Sequence, residues 1–512
     1  MEDEPPQTPL QQLARWLAPR DYRLTRWLVL RLLGVVYTFA FLGLLFQGLP
    51  LLGSHGLTPI GAYLDRLHDA GVGFWQLPTL FHASASDAMI RALAVIGLVL
   101  SVACVAGYAN LPSLLILWAI YGSFERVGQM WFSFGWEIQL LETGLLCAFL
   151  AHPWDPRPLA ARAPPATAVV LLRWLAIRIM LGAGLIKLRG DHCWTELTCL
   201  DSHFETQPIP SPLSAGFHHM PHWVHAAGVV ANHVVEVVLP WFAFGPRRLR
   251  LVAATGMIGF QLVLIASGNL AFLNWLTLVP CLALLDDDAL LRLSPRRAAA
   301  WLRARLTSEH ARLPHRVACY VLAALVFVKS FDVIANLASH DQQMNASYDR
   351  LELVNTYGAF GSVGRERHEL VIEGTLDADP DHATWSAYEL PCKPGALDRR
   401  PCLLGPYHMR LDWLIWFAAM APKPHDAWVL HLVWKLLDGD RGVRELIATD
   451  PFDGVAPRWV RIRRFAYHLQ SYGDDTWWTR DHEQLWLPPQ SLESADLKAV
   501  LADYGWPSPT QR

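Results

Sequence analysis

Residues 27–49 read WLVLRLLGVVYTFAFLGLLFQGL, twenty-three residues whose one charged side chain is Arg31. A bilayer span needs about 20 predominantly apolar residues, so this stretch alone points to a membrane-embedded chain. Similar stretches recur at 89–108, 111–122, 137–151, 168–188, 223–244, 251–267, 270–285 and 317–336. Four or five reach spanning length outright, while 111–122 and 137–151 are short. The expected fold is a polytopic α-helical membrane bundle of about nine spans, followed by a C-terminal mixed α/β extracytoplasmic domain with a β-sheet core. The domains are read as a cytoplasmic arm at 1–26, a transmembrane domain at 27–336 and an extracytoplasmic domain at 337–512.

Composition agrees. Of 512 residues, 53% are hydrophobic and 17% charged, against about 25% charged in soluble proteins, and the mean hydropathy is +0.21. A disordered chain, a fibrous repeat and a basic nucleic-acid-binding protein are excluded, and the net charge of −3 favours no partner.

The cations orient the chain, because Lys and Arg accumulate in short cytoplasmic loops. Arg15, Arg20, Arg23 and Arg26 precede the first stretch; Arg157 and Arg162, then Arg247, Arg248 and Arg250, then the run from Arg292 to Arg316 fall in later loops. The segment 190–222 has no Lys or Arg. Nine spans with the N-terminus inside place every Arg-rich loop inside and the C-terminal domain outside. No cleavable signal peptide is read at the N-terminus, so the first span is expected to act as its own anchor. Ser294 to Leu313 forms a basic amphipathic segment suited to the anionic inner leaflet.

Four cysteines (Cys104, Cys147, Cys281 and Cys319) lie in apolar stretches, where a thiol packs as a small hydrophobe. The other four fall outside, where disulfides persist. Local bridges Cys193–Cys199 and Cys392–Cys402 are the simplest pairing, although four cysteines allow three connectivities. In the outside domain, Glu369–Glu373, Trp385–Glu389 and Trp459–Tyr472 alternate as strands. Leu411–Met420 and His425–Leu437 read as helices, the first resting a Trp-rich face on the bundle.

Polar chemistry concentrates near 187–236. His218, His222 and His225 share one helical face, which raises a metal site; an interfacial turn at headgroup level is the stronger reading. Glu125, Glu137, Glu142, Lys187, His233, Glu236 and Lys329 are ionisable groups at membrane depth, where such groups turn inward and pair. Lys187 with Glu236 makes an ion pair, or Lys187 with His233 and Glu236 makes a catalytic base, since a desolvated lysine loses its proton more readily. Gly182-Ala183-Gly184 lies inside a span and permits close packing. No phosphate loop, G-x-S-x-G elbow or inverted repeat is present, so kinase, hydrolase and transporter readings fall away.

The blocks from Gly182-Ala183-Gly184-Leu185-Ile186-Lys187 to Glu205-Thr206-Gln207-Pro208 resemble the lipase maturation factor family. So do Asn232-His233-Val234-Val235-Glu236, Gly268-Asn269, Leu285-Asp286-Asp287, Asn355-Thr356-Tyr357-Gly358, Lys393-Pro394-Gly395 and Arg410-Leu411-Asp412-Trp413 with Trp416. The resemblance implies a multi-pass protein of the endoplasmic reticulum membrane, chaperone-like toward secreted proteins, lipases above all. Membrane lipids and secreted clients are then the partners, with no nucleic acid and no cofactor. Tyr357, Arg410, Asp412, Trp413 and Trp416 are its client-binding candidates. Two departures stand out: His408-Met409-Arg410 replaces the family's His-Gln-Pro-Arg, and Cys392 and Cys402 are peculiar to this chain. Arg outnumbers Lys 37 to 6, which points to a GC-rich bacterial genome and, in that case, to the cytoplasmic membrane. The stretch Gly184–Leu188, followed by a Trp, is also similar to the membrane domain of vitamin K-dependent carboxylase-type proteins. That likeness implies Lys187 as a base toward a lipid or quinone.

Overall fold

The computed structural model describes residues 22–306 and 309–506; residues 1–21 of the expected N-terminal arm lie outside the described residues. All nine apolar stretches are helical: α1 (Arg23–Leu52), α2 (Asp87–Ala106), α3 (Leu111–Val127), α4 (Gly135–Leu150), α5 (Ala166–Arg189), α6 (His222–His233), α7 (Arg247–Ser267), α8 (Leu273–Leu282) and α9 (Leu313–Ala338). Six of them are long and apolar enough to cross a membrane, α6 through its continuation to Phe244. The expected count of about nine spans is met in part, and the stretches read as short, 111–122 and 137–151, are short helices. α3, α4 and α8 hold 17, 16 and 10 residues; at about 1.5 Å rise per residue, all three fall short of a hydrocarbon core about 30 Å thick. α4 shows why: from Trp136 to Leu150 every residue but Phe149 is buried. A helix solvated by protein does not have to match the lipid.

The helix starts and bends follow local chemistry. The first N–H groups of a helix have no partner within it. In α1 those of Arg23, Leu24 and Thr25 are met by the Asp287 carboxylate at 2.9–3.1 Å. After α6 the chain makes a π turn (Val234–Val238) and a 3-10 turn (Leu239–Phe244). Pro240 explains the change, since it lacks an N–H and its ring clashes with the carbonyl four residues earlier. A short helix, Ile60–Asp69, lies between α1 and α2.

The C-terminal part is a four-stranded antiparallel sheet, ordered β2-β1-β3-β4, of β1 (Arg367–Thr375), β2 (Ser386–Ala387), β3 (Trp459–Leu469) and β4 (Trp478–Gln490). Ile372 sits opposite Ile462. Helices α10 (Arg410–Met420) and α11 (Ala427–Leu437) match the sequence reading. The strand read at 385–389 shortens to β2. β4 and the helix Ala495–Asp503 were not anticipated: β4 runs through Thr479–Glu483, a charged and exposed stretch of the kind that keeps an edge strand from pairing. One apolar core is continuous from Leu33, Tyr37 and Phe41 in α1 to Trp413, Leu432 and Ile462 in the C-terminal part.

Candidate functional site

Two of the ionisable groups singled out in the sequence, Glu137 and Glu142, lie at the seam where bundle and C-terminal part share that core. Glu142 of α4 and Arg178 of α5 form an ion pair with both side chains fully buried. The C-terminal part completes it. Asn355 donates its backbone N–H to Glu142 at 3.1 Å, Tyr357 donates its hydroxyl at 2.7 Å, and Arg178 donates to the Asn355 carbonyl at 3.0 Å. Gly182 is required here, because a Cβ at that position would lie 2.1 Å from the Tyr357 carbonyl oxygen. The close approach foreseen for Gly182 is thus to the seam, while a Cβ on Gly184 would meet Glu236 Cβ at 2.9 Å.

A second junction is built on Arg410. Its guanidinium donates to Glu137 of α4 at 2.9 Å and to the Trp131 carbonyl, and lies 3.6 Å over the Phe132 ring. Glu137 also accepts from the Trp136 indole at 3.0 Å and from the Tyr121 hydroxyl. The Arg410 N–H donates to Gln47 of α1 at 2.9 Å. Trp413 packs its ring against Trp136 and Phe134, at 5.0 and 6.0 Å between centroids, and the Trp416 indole donates to the Thr206 carbonyl at 3.1 Å. Four of the five client-binding candidates (Tyr357, Arg410, Asp412 and Trp413) are therefore buried, and Trp416 is half-buried.

Asp412 faces the disulfide loop instead. Its Oδ1 accepts the N–H groups of Cys392 and Lys393 at 2.7 and 2.8 Å. Burial pushes its carboxyl up to about 6, against those two donors. An aspartate raised from about 3.9 in the unfolded chain makes stability fall as pH rises from about 4 through about 6. Thermal melts of the full chain in detergent should show that slope and lose it in Asp412→Asn, which keeps an acceptor oxygen. Asp412→Ala orphans both donors and should cost about 2–6 kcal/mol, at about 1–3 kcal/mol per buried unsatisfied group.

Lys187 ends α5 at a buried site. Its Nζ lies 2.7 Å from each Glu236 carboxylate oxygen and 2.9 Å from Asn232 Oδ1, and 5.0 Å over the Trp194 ring. Asn232 donates to Glu236 at 2.9 Å. His233, by contrast, bonds the Trp194 carbonyl at 3.1 Å through Nε2 and does not join the pair.

The histidine face divides between two carboxylates. His222 and His225 reach Asp201 at 3.0 and 2.8 Å, while His218 lies 3.4 Å from Glu205. Burial holds His218 down to about 4, so it is neutral near pH 7. Among the described residues no three His, Cys, Asp or Glu side chains are grouped to hold a metal. Cys193–Cys199 and Cys392–Cys402 are disulfide-bonded, and Cys104, Cys147, Cys281 and Cys319 are free and buried.

Sequence reasoning flagged Glu137 and Glu142 as buried ions but missed their partners. Arg178 sits in the middle of an apolar run, and that position was the available signal. Asn269 was noted only within a motif. It clamps the second disulfide loop, donating to the Cys402 carbonyl at 2.9 Å and accepting from Leu404 and Gly405 at 2.8 and 3.1 Å. Asp286 likewise ties Arg247 and Arg250 together, at 2.7 and 3.0 Å.

Comparison with known proteins covers both parts. The family model of the lipase maturation factor transmembrane domain matches residues 24–292, and that of the lipase maturation factor C-terminal domain matches 353–488. Lipase maturation factor 1 of Bos taurus is 43% identical over 95% of this chain and 92% of its own length. That of Homo sapiens is 41% identical over 95% and 91%. Lipase maturation factor 2 of Homo sapiens is 29% identical over 94% of this chain and 85% of its own length. No solved structure matches the chain. With both family domains in order along a membrane-spanning bundle and its C-terminal sheet, the chain belongs to the lipase maturation factor family.

Proposed function

We propose that this protein is a chaperone-like membrane factor that assists the folding, assembly and export of secreted proteins, lipases among them. The observation that carries this reading is the extent of the likeness: 43% identity to a lipase maturation factor 1 over 95% of the chain, through both domains. The domains are taken as an N-terminal arm at 1–26, a bundle at 27–336 and a C-terminal domain at 337–512. The N-terminus faces the cytoplasm and the C-terminal domain faces the endoplasmic reticulum lumen, or the periplasm in a bacterium. That side favours disulfides, and both disulfides lie in segments assigned to it. Tyr357, Arg410 and Trp413 serve clients indirectly, by fixing the domain on the bundle, and Asp412 by holding the Cys392 loop; Trp416 and the surface around it are left for contact.

Deleting the gene should lower the specific activity of secreted lipases several-fold while their transcripts stay constant. Unchanged lipase activity and abundance would overturn the proposal. The alternative, Lys187 as a base on a lipid or quinone, finds no support in the geometry: the amine is saturated by Glu236 and Asn232.

A further inference from the structure

A cavity of about 760 Å³ opens where the bundle meets the turn after α11. One wall is apolar, formed by Leu45, Phe46 and Leu49 on the last turns of α1, with Phe46 63% exposed. The rim is charged. Arg91, on the second turn of α2, lines it from the bundle, and Arg441 and Glu445 line it from the C-terminal domain. Among the described residues, neither guanidinium makes a hydrogen bond or ion pair, and the Glu445 carboxylate meets no cation.

The walls are held in place by contacts that do not use these groups. Gly439, at φ +68°, turns the chain out of α11. Asp440 then accepts from the Val443 N–H at 3.1 Å and from Lys435 at 3.0 Å, and Lys435 donates to the His55 carbonyl at 2.6 Å. The turn is thereby tied to the bundle, and Arg441 and Glu445 stay free for something else.

Two chemistries meet in this groove. A guanidinium pair suits a phosphodiester, which accepts its forked N–H donors. The Leu45–Leu49 wall gains from covering by hydrocarbon, at about 25 cal/mol per Å² of apolar surface. Lys435 neutralises Asp440, so Asp87 and Glu445 balance the two arginines of the lining. No net positive charge is left to hold an anionic headgroup, and Glu445 suits a headgroup that carries its own amine. The groove also lies at the ends of two helices long enough to span, and the ends of spanning helices are where headgroups lie. We infer that it binds one amine-bearing zwitterionic phospholipid from the leaflet on the C-terminal-domain side. The phosphate lies between Arg91 and Arg441, the amine faces Glu445, and one acyl chain covers Leu45, Phe46 and Leu49.

The test is native mass spectrometry of the full chain released from nanodiscs of mixed phosphatidylethanolamine and phosphatidylglycerol. The wild type should retain one phosphatidylethanolamine per chain, and Arg91→Gln/Arg441→Gln should lower retention about tenfold, the equivalent of about 1.4 kcal/mol. Both side chains are exposed, so the thermal melt of the double variant should match wild type. Glu445→Gln should shift retention toward phosphatidylglycerol. A photoactivatable phosphatidylethanolamine should label peptides containing Phe46. Equal retention by the double variant, a wild type without bound lipid, labelling spread evenly around the bundle, or displacement of the lipid by inorganic phosphate would each overturn the inference.

Discussion

Arg178→Met should be among the most damaging single substitutions in this chain, costing about 3–5 kcal/mol and most of the folded yield. The penalty comes from the partner left behind, since breaking a buried ion pair strands an uncompensated charge. Glu142 and Arg178 are both fully buried, so no water replaces the guanidinium. Pairing Arg178→Met with Glu142→Met should not restore stability. The Asn355 N–H and the Tyr357 hydroxyl also rely on Glu142, and the double variant orphans both. Tyr357→Phe removes one neutral-to-charged hydrogen bond and should cost about 1.5–3 kcal/mol. Thermal melts in detergent and protease resistance of the 337–512 region give the readout. A double variant as stable as wild type would show that the seam depends on packing alone.

The second large effect is at Lys187. Lys187→Met strands the Glu236 carboxylate with only the Asn232 amide beside it, at a cost of about 3–5 kcal/mol. Here the double variant should behave differently. Lys187→Met/Glu236→Gln leaves no charge, and a buried pair replaced by neutral groups of similar volume is often near neutral in stability. Under the proposed function, lipase maturation per folded molecule should then equal wild type. If the double variant folds but matures no lipase, Lys187 acts chemically and the structural account of it fails. Folded yield and activity per molecule separate the two outcomes.

The contrast between these sites explains what the sequence disclosed. Lys187, Asn232 and Glu236 are close enough along two adjacent helices to be paired by helical periodicity, and Cys193–Cys199 by proximity. The nine apolar stretches were legible because the hydrophobic period is local. Arg178 with Asn355 is 177 residues apart and Arg410 with Glu137 is 273. No period or spacing in one chain connects such residues. That 111–122 and 137–151 are short was legible, but the reason was not: α4 is enclosed by neighbours that come from distant sequence. Charged edge strand β4 lacked alternation, because Arg480, Asp481, His482 and Glu483 are exposed in succession.

The cap on α1 has a consequence in time. Asp287 follows Arg23 by 264 residues, and the Arg410 N–H that meets Gln47 follows it by 363. At roughly 5–20 residues per second of synthesis, the first helix waits roughly 20–70 s for both of its ends to be satisfied. Until then Gln47, Glu137, Glu142 and Arg178 sit among apolar helices without their C-terminal partners. The first of the described helices is therefore among the last completed, and a ribosome that stops before residue 355 releases a bundle with open polar joints, a natural substrate for membrane quality control.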